Sequence, residues 1–272
     1  MKETEINNLY RRDVHEQWAE AKTMEHSSGI WGREPMLECL QETIQPGEIV
    51  IDLGSGAGYP SAKIAEMVGE SGKVIGVERS QAMLGLEAGQ DPLSNRYADI
   101  PNLEFINADI TKLPLESHIA DKIVSFMVLH NLTIEQVQDT LKETARTLKS
   151  DGKAVFLSMH PRALEKRWDL DFIQYNHQDL DQYEAAEDKE GIEVHGLVKN
   201  VGGGEKEVLM ISHTRENMEV AIKEAGLQII LEKDLWIDED TAKEKFGDES
   251  VKRLPETPTF WMVVLESATE NT

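Results

Sequence analysis

Three glycines at alternate positions follow a short β-branched run, and they are the first residues of this sequence whose spacing suggests chemistry. They are Gly54, Gly56 and Gly58. Glycine lets the backbone turn sharply and approach a ligand without a β-carbon in the way. Glu78 follows Gly54 by 24 residues, and a carboxylate there can accept hydrogen bonds from both ribose hydroxyls of a nucleoside. The spacing therefore predicts a nucleoside-containing cofactor at this loop.

The glycine spacing argues against one class of nucleoside cofactor. The dinucleotide fingerprint places its third glycine one residue later than Gly58. A nicotinamide-dependent dehydrogenase is therefore a less favoured interpretation than a mononucleoside site.

Alternating strand-like and helical patterns predict the elements that would position these residues. Five β-branched runs are separated by segments whose apolar residues recur every three or four positions, and two further runs near the C-terminus can pair as a hairpin with a long loop. The predicted strands are 48–53, 73–78, 103–107, 122–126, 153–159, 228–231 and 260–265, and the predicted helices include 59–68, 81–88, 134–148 and 214–225. This order predicts an α/β fold with a Rossmann-like, doubly wound, mostly parallel seven-stranded sheet that has a terminal antiparallel strand.

Changes in this rhythm divide the chain into four segments. Residues 1–45 are predicted to form an N-terminal helical cap, and 46–159 the cofactor-binding core. The alternation stops between 160 and 213, which we interpret as an inserted lid over the carboxyl edge of the sheet. It resumes in 214–268 with a helix and the last two strands of the core.

The motifs occur in an order that resembles the class I S-adenosylmethionine-dependent methyltransferases. Asp52 and the three glycines match the first motif of that family. Glu78 matches its ribose-binding acid, Met83 an adenine-packing position, and Asp109 the residue that holds the adenine amino group. The resemblance covers about 49–159 and 212–265 and leaves the lid uncovered.

Three further stretches are similar to the ubiquinone-biosynthesis-like branch of that family, the methyltransferase type 11 branch. They are 125–132, 159–161 and 213–215. The first stretch often carries two adjacent histidines in that branch, whereas here Asn131 follows His130.

The resemblance implies S-adenosylmethionine as cofactor and S-adenosylhomocysteine as its product. It implies an α/β core that binds the cofactor along the carboxyl edge of the sheet, and we assign no metal ligands. The expected cofactor-binding residues are Tyr10, Asp52, Gly54, Ser55, Gly56, Gly58, Glu78, Arg79, Met83, Asp109, Ile110, Phe126 and Met127. Tyr10 either closes over the cofactor or only fastens its helix to the sheet.

Composition excludes several partners and favours this cofactor. The chain has 272 residues and a formal charge of −23, which repels phosphate backbones and argues against nucleic acid. A sulfonium cation suits this negative background. No apolar run approaches the length of a membrane span or a secretion signal, so we expect a cytoplasmic protein without membrane association. The single Cys39 forms no internal disulfide and disfavours arsenic methylation, which relies on several cysteines.

Two histidines are candidate general bases. His130 and His160 follow predicted strands on the ligand-bearing edge, where an imidazole could remove a proton from the methyl acceptor. A structural hydrogen-bonding role is an equal alternative for each.

The insertion offers candidate acceptor-binding residues. Trp168, Phe172 and Tyr175 fall on one face if the stretch is helical. With the surrounding carboxylates they would suit a cationic amine, although packing under a solvated acidic face is the simpler interpretation. His213 is a further candidate at the end of the insertion.

The sequence thus predicts an enzyme that moves a methyl group from S-adenosylmethionine to an oxygen or nitrogen of a small molecule. Aligning the acceptor with the methyl–sulfur axis would supply most of the catalysis, so a general base is optional. Two alternatives stay open: carbon methylation of a quinone-like ring, and a catalytically silent nucleoside-binding module that acts through a protein partner.

Overall fold

The structure is a computed structural model, and it describes residues 33–164, 169–170, 173–199, 205–237, 239–246, 251–253 and 257–268. Tyr10, Trp168 and Phe172 lie outside these ranges. In the described part of the chain the strands are β1 (Ile49–Leu53), β2 (Lys73–Glu78), β3 (Leu103–Asn107), β4 (Ala120–Phe126), β5 (Leu148–Met159), β6 (Asp169–Leu170), β7 (Ile173–Tyr175), β8 (Glu193–Lys199), β9 (Glu205–Ile211), β10 (Leu227–Leu235), β11 (Val251–Arg253) and β12 (Phe260–Ser267). The helices are α1 (Glu34–Thr43), α2 (Tyr59–Val68), α3 (Leu93–Arg96), α4 (Ile134–Thr147), α5 (His177–Ala185), α6 (Arg215–Glu224) and α7 (Glu239–Phe246).

Seven of the strands form the main sheet in the order β10-β12-β5-β4-β1-β2-β3. The pairs among β1 to β5 are parallel, whereas β12 is antiparallel to both of its neighbours. The strand order reverses direction between β3 and β4, because β4 returns to the other side of β1. Such a switch point creates a crevice at the carboxyl ends of the strands. The predicted mostly parallel, seven-stranded α/β fold is confirmed.

Successive residues of a strand point to opposite sides of the sheet, and in the central strands both sides are buried. Val50 packs into one core with Met36 of α1 and Ile64 of α2. Its neighbour Ile51 packs into a second core with Leu141 of α4. Helices on both faces leave only the strand ends accessible to a ligand.

A second, five-stranded sheet has the order β11-β6-β7-β8-β9, and all its pairs are antiparallel. Leu180 and Tyr183 of α5 pack with Val194 and Met210 of this sheet. Four of its strands come from the 160–213 segment. The fifth, β11, comes from the connection between β10 and β12 in the 214–268 segment, so the second sheet draws on two of the four predicted segments.

One predicted helix is wrong. The 81–88 stretch forms successive turns, because Gly85 adopts a φ of +68° that interrupts a right-handed helix. The stretch whose three aromatic rings would share one face if it were helical forms β6 and β7 where it is described. Ile173 and Tyr175 pair with Val198 and Gly196 of β8, and this long-range pairing overrides the helical spacing.

None of the helices in the described part of the chain combines the length and the apolar composition that a bilayer crossing needs. The same residues contain no group of three or more His, Cys, Asp or Glu side chains placed to hold a metal ion.

Candidate functional site

The loop between β1 and α2 is built around left-handed glycines. Gly54, Gly56 and Gly58 have φ values of +73°, +54° and +82°, a region that side-chain-bearing residues rarely adopt. The N–H groups of Gly54 and Ser55 both donate to the carbonyl of Val77 in β2, at 2.8 and 3.1 Å. The loop is therefore held against the end of the neighbouring strand.

Two of the three glycines make room for the protein's own side chains. A β-carbon on Gly54 would lie 2.5 Å from Cγ2 of Val128, and one on Gly58 would lie 2.6 Å from Cζ of Phe105. Within the described residues, a β-carbon on Gly56 would meet only the terminal Cε of Met83, at 3.2 Å. Gly56 is therefore the glycine of this loop that a ligand can approach by displacing no more than a flexible side-chain end.

Glu78 lies at the end of β2, directly beside this loop. Its Oε2 accepts the N–H of Gly56 at 3.0 Å, and its Oε1 accepts the N–H of Ser80 at 2.8 Å. Burial raises the pKa of the Glu78 carboxyl, while backbone hydrogen bonds from Ser80, Gly56 and Arg79 and the charge of Arg79 act against that rise. The two carboxylate oxygens together offer about four acceptor sites. The carboxylate can therefore still accept a hydrogen bond from a ligand hydroxyl.

Asp52 lies beneath the loop and is 1% exposed. Its Oδ2 accepts the hydroxyl of Ser61 at 2.6 Å, while its buried Oδ1 has no hydrogen-bond partner among the described residues. Burial raises the pKa of Asp52 to about 7, although the Ser61 hydrogen bond and the charge of Arg33 act to lower it. A buried acceptor without a partner is unfavourable, so this oxygen is suited to a cationic or hydrogen-bonding ligand group.

Three further expected cofactor-binding residues, Met83, Ser55 and Arg79, belong to the loop or follow β2. Met83 is buried next to Gly56. Ser55 is also buried, and a β-carbon on Gly76 of β2 would lie 3.0 Å from its Cβ, so Ser55 packs against the sheet. The carbonyl of Arg79 accepts the side-chain amide of Asn107 at 2.8 Å.

Asn107 is a structural residue of the site whose role sequence reasoning missed. Its Nδ2 donates to the carbonyl of Glu78 at 3.0 Å as well as to that of Arg79. It thereby ties the end of β3 to the end of β2. One local signal could have indicated this role: Asn107 is the last residue of a predicted strand, two residues before Asp109.

Asp109 and Ile110 follow β3 on the same edge. Oδ1 of Asp109 accepts the N–H and the hydroxyl of Thr111, at 2.9 and 2.8 Å, in a turn that leaves the side chain exposed. Ile110 is buried in the core that contains Ile51. The second oxygen of Asp109 remains accessible to a ligand.

The end of β4 carries an unusual backbone conformation. Met127 has a φ of +58°, although it is not glycine, and such residues cluster at functional sites. Its N–H donates to the carbonyl of Leu157 in β5 at 2.7 Å. Phe126 before it is buried, and Val128 after it fills the space beside Gly54. No glycine or other turn residue at Met127 signals this conformation in the sequence.

His130 lies in a 3₁₀ turn, Leu129–Asn131, that follows β4. Its Nδ1 lies 3.3 Å from the hydroxyl of Ser158 in β5, and the side-chain amide of Asn131 donates to its Nε2 at 3.4 Å. These contacts favour the tautomer in which Nδ1 carries the proton. Nε2, which receives the longer of the two contacts, is then the nitrogen that could accept a proton.

His160 follows β5 and is 4% exposed. Its Nδ1 accepts the N–H of Arg162 at 2.9 Å, and its Nε2 lies 3.2 Å from Oδ1 of Asp234. Burial lowers the pKa of His160, while Asp234 acts to raise it. Because Nδ1 already accepts a hydrogen bond, the proton belongs on Nε2, so these contacts favour the structural alternative over a general base.

Of the expected acceptor-binding residues, Tyr175 and His213 lie in the described part of the structure. Tyr175 is partly buried in the second sheet, and its hydroxyl contacts Sδ of Met210 at 3.5 Å. Both ring nitrogens of His213 contact protein oxygens, Oε1 of Glu190 and the carbonyl of Leu132.

A cavity of about 20 Å³ lies between the ends of β4 and β5 and the end of β9. It brings together the three histidines that the sequence identified, His130, His160 and His213, with apolar residues such as Met210 and Trp261. A cavity of this volume holds one water molecule.

Comparison with known proteins places these features in a family. The sequence model of a family described as a methyltransferase domain matches residues 44–225. The ubiquinone/menaquinone biosynthesis C-methyltransferase UbiE of Escherichia fergusonii is 31% identical over 122 residues, which are 45% of this chain and 47% of that protein. The chain thus spans about half the length of the curated relatives it matches.

Solved structures resemble the fold over nearly the whole chain. The CcbJ methyltransferase from Streptomyces caelestis aligns with a TM-score of 0.63 at 15% identity, covering 96% of this chain and 98% of that one. A methyltransferase in complex with the Haloferax volcanii Trm112 methyltransferase activator aligns with a TM-score of 0.59 at 19% identity, covering 96% and 99%. The family match and these folds confirm the resemblance to methyltransferases.

Proposed function

Because the chain belongs to the methyltransferase-domain family, we propose that it transfers a methyl group from S-adenosylmethionine to an oxygen or nitrogen of a small-molecule acceptor. The observation that carries this proposal is the Glu78 carboxylate, which lies at the end of β2 against Gly56 with acceptor sites to spare. The family relation supports S-adenosylmethionine as the cofactor.

The residues at the crevice fit this cofactor. Glu78 would hold the ribose hydroxyls. The buried Oδ1 of Asp52, which has no hydrogen-bond partner among the described residues, suits the ammonium group of the methionine part. Met83 and Ile110 offer apolar surface for the adenine, and the outer oxygen of Asp109 would accept its amino group. The acidic chain, with its charge of −23, favours a cationic cofactor over a phosphate-bearing one.

The bound cofactor would supply an electrophilic methyl group on a sulfonium. The chain would contribute binding and orientation, since a lone pair aligned with that methyl group in a dry site needs little further catalysis. His130 is the better placed of the two histidines to take up a proton from the acceptor, because the contact of its Nε2 with Asn131 is a long one that an acceptor could displace.

Carbon methylation of a quinone-like ring is a second candidate, favoured by the curated relatives. UbiE is named as a C-methyltransferase of ubiquinone and menaquinone biosynthesis, but the match covers less than half of this chain. A ring carbon must lose a proton after it gains the methyl group, so this reaction would make the base at His130 essential.

A silent nucleoside-binding module that acts through a protein partner is the third candidate. One protein of similar fold was solved together with a protein partner, the Trm112 methyltransferase activator. This candidate predicts cofactor binding without turnover.

The test is to incubate the full chain with methyl-labelled S-adenosylmethionine and fractionated small-molecule extracts, and to identify labelled products by mass spectrometry and NMR. A product labelled on oxygen or nitrogen supports the leading proposal, and one labelled on a ring carbon supports the second. Binding of S-adenosylhomocysteine without any labelled product favours the binding module, whereas a folded protein that does not bind it contradicts all three. His130→Ala is expected to reduce turnover, and His160→Asn to leave turnover per folded molecule unchanged.

A further inference from the structure

We infer that His213 and Glu190 act as a positioning pair that fastens the second sheet to the segment after β4. Oε1 of Glu190 lies 2.6 Å from Nδ1 of His213, and Nε2 of His213 lies 3.0 Å from the carbonyl of Leu132. The imidazole therefore bridges residues that are 23 and 81 positions away from it in the chain.

Glu190 is held as a carboxylate by several donors. Its Oε2 accepts the N–H of Thr214 at 2.7 Å and the side-chain amide of Asn217 at 3.1 Å. Burial acts to raise the pKa of Glu190, but the hydrogen bonds from His213, Thr214 and Asn217 outweigh it and keep the pKa below its usual value. Both oxygens thus act only as acceptors.

Both partners of His213 are hydrogen-bond acceptors, a carboxylate and a backbone carbonyl, so the imidazole is the donor at this bridge. The side chains of His213 and Glu190 are 6% and 12% exposed, so water cannot readily replace either contact, and a charge-assisted hydrogen bond in such a place is strong.

The pair joins two regions that flank the cavity. On one side, Gly191 and Ile192 exchange backbone hydrogen bonds with Ser212, which continues the second sheet to His213. On the other side, Leu132 ends the 3₁₀ turn that carries His130. The bridge therefore sets how closely the second sheet approaches the end of β4.

This placement gives the pair a role in acceptor entry. The cavity beneath the bridge has a volume of about 20 Å³, too small for a methyl acceptor. If the proposed methyl transfer is correct, an acceptor that approaches His130 through this cavity needs the second sheet to move away from the β4 segment. His213 and Glu190 are then positioning residues that govern this movement without touching the cofactor.

The experiment compares the full chain with Glu190→Gln and His213→Gln, in the absence of any cofactor. Hydrogen exchange is followed by NMR at the amides of residues 129–133. Either substitution should accelerate exchange at 129–133 by about 10- to 100-fold, because it removes a hydrogen bond to a charged group.

Asp179→Asn is the matched control. Asp179 forms a similar pair with His195, at 2.8 Å between Oδ2 and Nδ1, but within α5 and β8 of the second sheet. The Asp179→Asn variant should leave hydrogen exchange at 129–133 unchanged. Unchanged exchange at 129–133 in a folded Glu190→Gln variant would overturn the inference. This readout does not depend on methyl transfer, so a failure of the proposed function would not be mistaken for a failure of the bridge.

Discussion

Replacing Gly58 by alanine tests whether this glycine is required by packing. The new β-carbon would lie 2.6 Å from Cζ of Phe105 and 2.8 Å from Cε2 of Tyr97, in a backbone with a φ of +82°. The left-handed conformation alone costs about 1–2 kcal/mol in a residue with a side chain, and overpacking adds about 1–3 kcal/mol. We therefore expect Gly58→Ala to lower the free energy of unfolding by about 2–5 kcal/mol.

Gly226→Ala separates the two contributions. Gly226 follows α6 with a φ of +77°, close to the value at Gly58, and a β-carbon there would have no atom of the described residues within 4 Å. This variant should lose only the conformational part, about 1–2 kcal/mol. Urea unfolding followed by circular dichroism measures both variants. Equal losses in the two variants would refute the packing argument, because the overlap with Phe105 and Tyr97 is what should make Gly58→Ala the more damaging change.

Gly56→Ala completes the series. The new β-carbon would meet the flexible end of Met83. The free energy of unfolding should therefore fall about as much as in Gly226→Ala, while binding of S-adenosylhomocysteine should weaken. Normal binding by this variant would mean that the ligand does not approach the loop at Gly56. Gly56→Val should block binding more completely, because a branched side chain occupies the same space.

Two further predictions concern protons and strand ends. Burial raises the pKa of Asp52 to about 7, and a cationic ligand favours its ionised form. Ligand binding should therefore release up to one proton below pH 7. The affinity should rise by up to about tenfold per pH unit from pH 5 to 7 and stay constant above pH 7. Calorimetry in buffers with different ionisation heats measures this release, and the same release from Asp52→Asn would assign it to another group. Asn107→Ala removes the hydrogen bonds to the carbonyls of Glu78 and Arg79. It should lower the free energy of unfolding by about 1–2 kcal/mol, which urea unfolding would detect. An unchanged free energy of unfolding would show that water replaces both bonds.

Much of the main sheet is predictable from the sequence because its signals are local. The β-branched runs identify β1 and β2, and the glycines identify the loop that follows β1, without reference to distant residues. Glu78 lies beside this loop, as its spacing predicts, because β1 and β2 are parallel neighbours with Leu53 opposite Val77.

The errors arise where distant residues decide. Tyr175 belongs to a strand because β8 pairs with it, and β11 joins the second sheet through Leu170 of β6, although neither pairing has a local signature. Val128 occupies the space beside Gly54, a contact that the glycine pattern does not reveal. The two hydrogen bonds of His213 likewise depend on Glu190 and on the carbonyl of Leu132, so periodicity could not reveal them.

Calorimetric titration of the full chain with S-adenosylhomocysteine tests the central claim most directly. The account predicts saturable binding at one site, weakened about 10- to 100-fold by Glu78→Ala, since the carboxylate would lose charged hydrogen bonds to the ribose. The affinity of Glu78→Gln should lie between those of the wild type and Glu78→Ala, because glutamine keeps one acceptor oxygen. A folded wild-type protein that gives no binding heat at several temperatures, or a Glu78→Ala variant with unchanged affinity, would contradict the account.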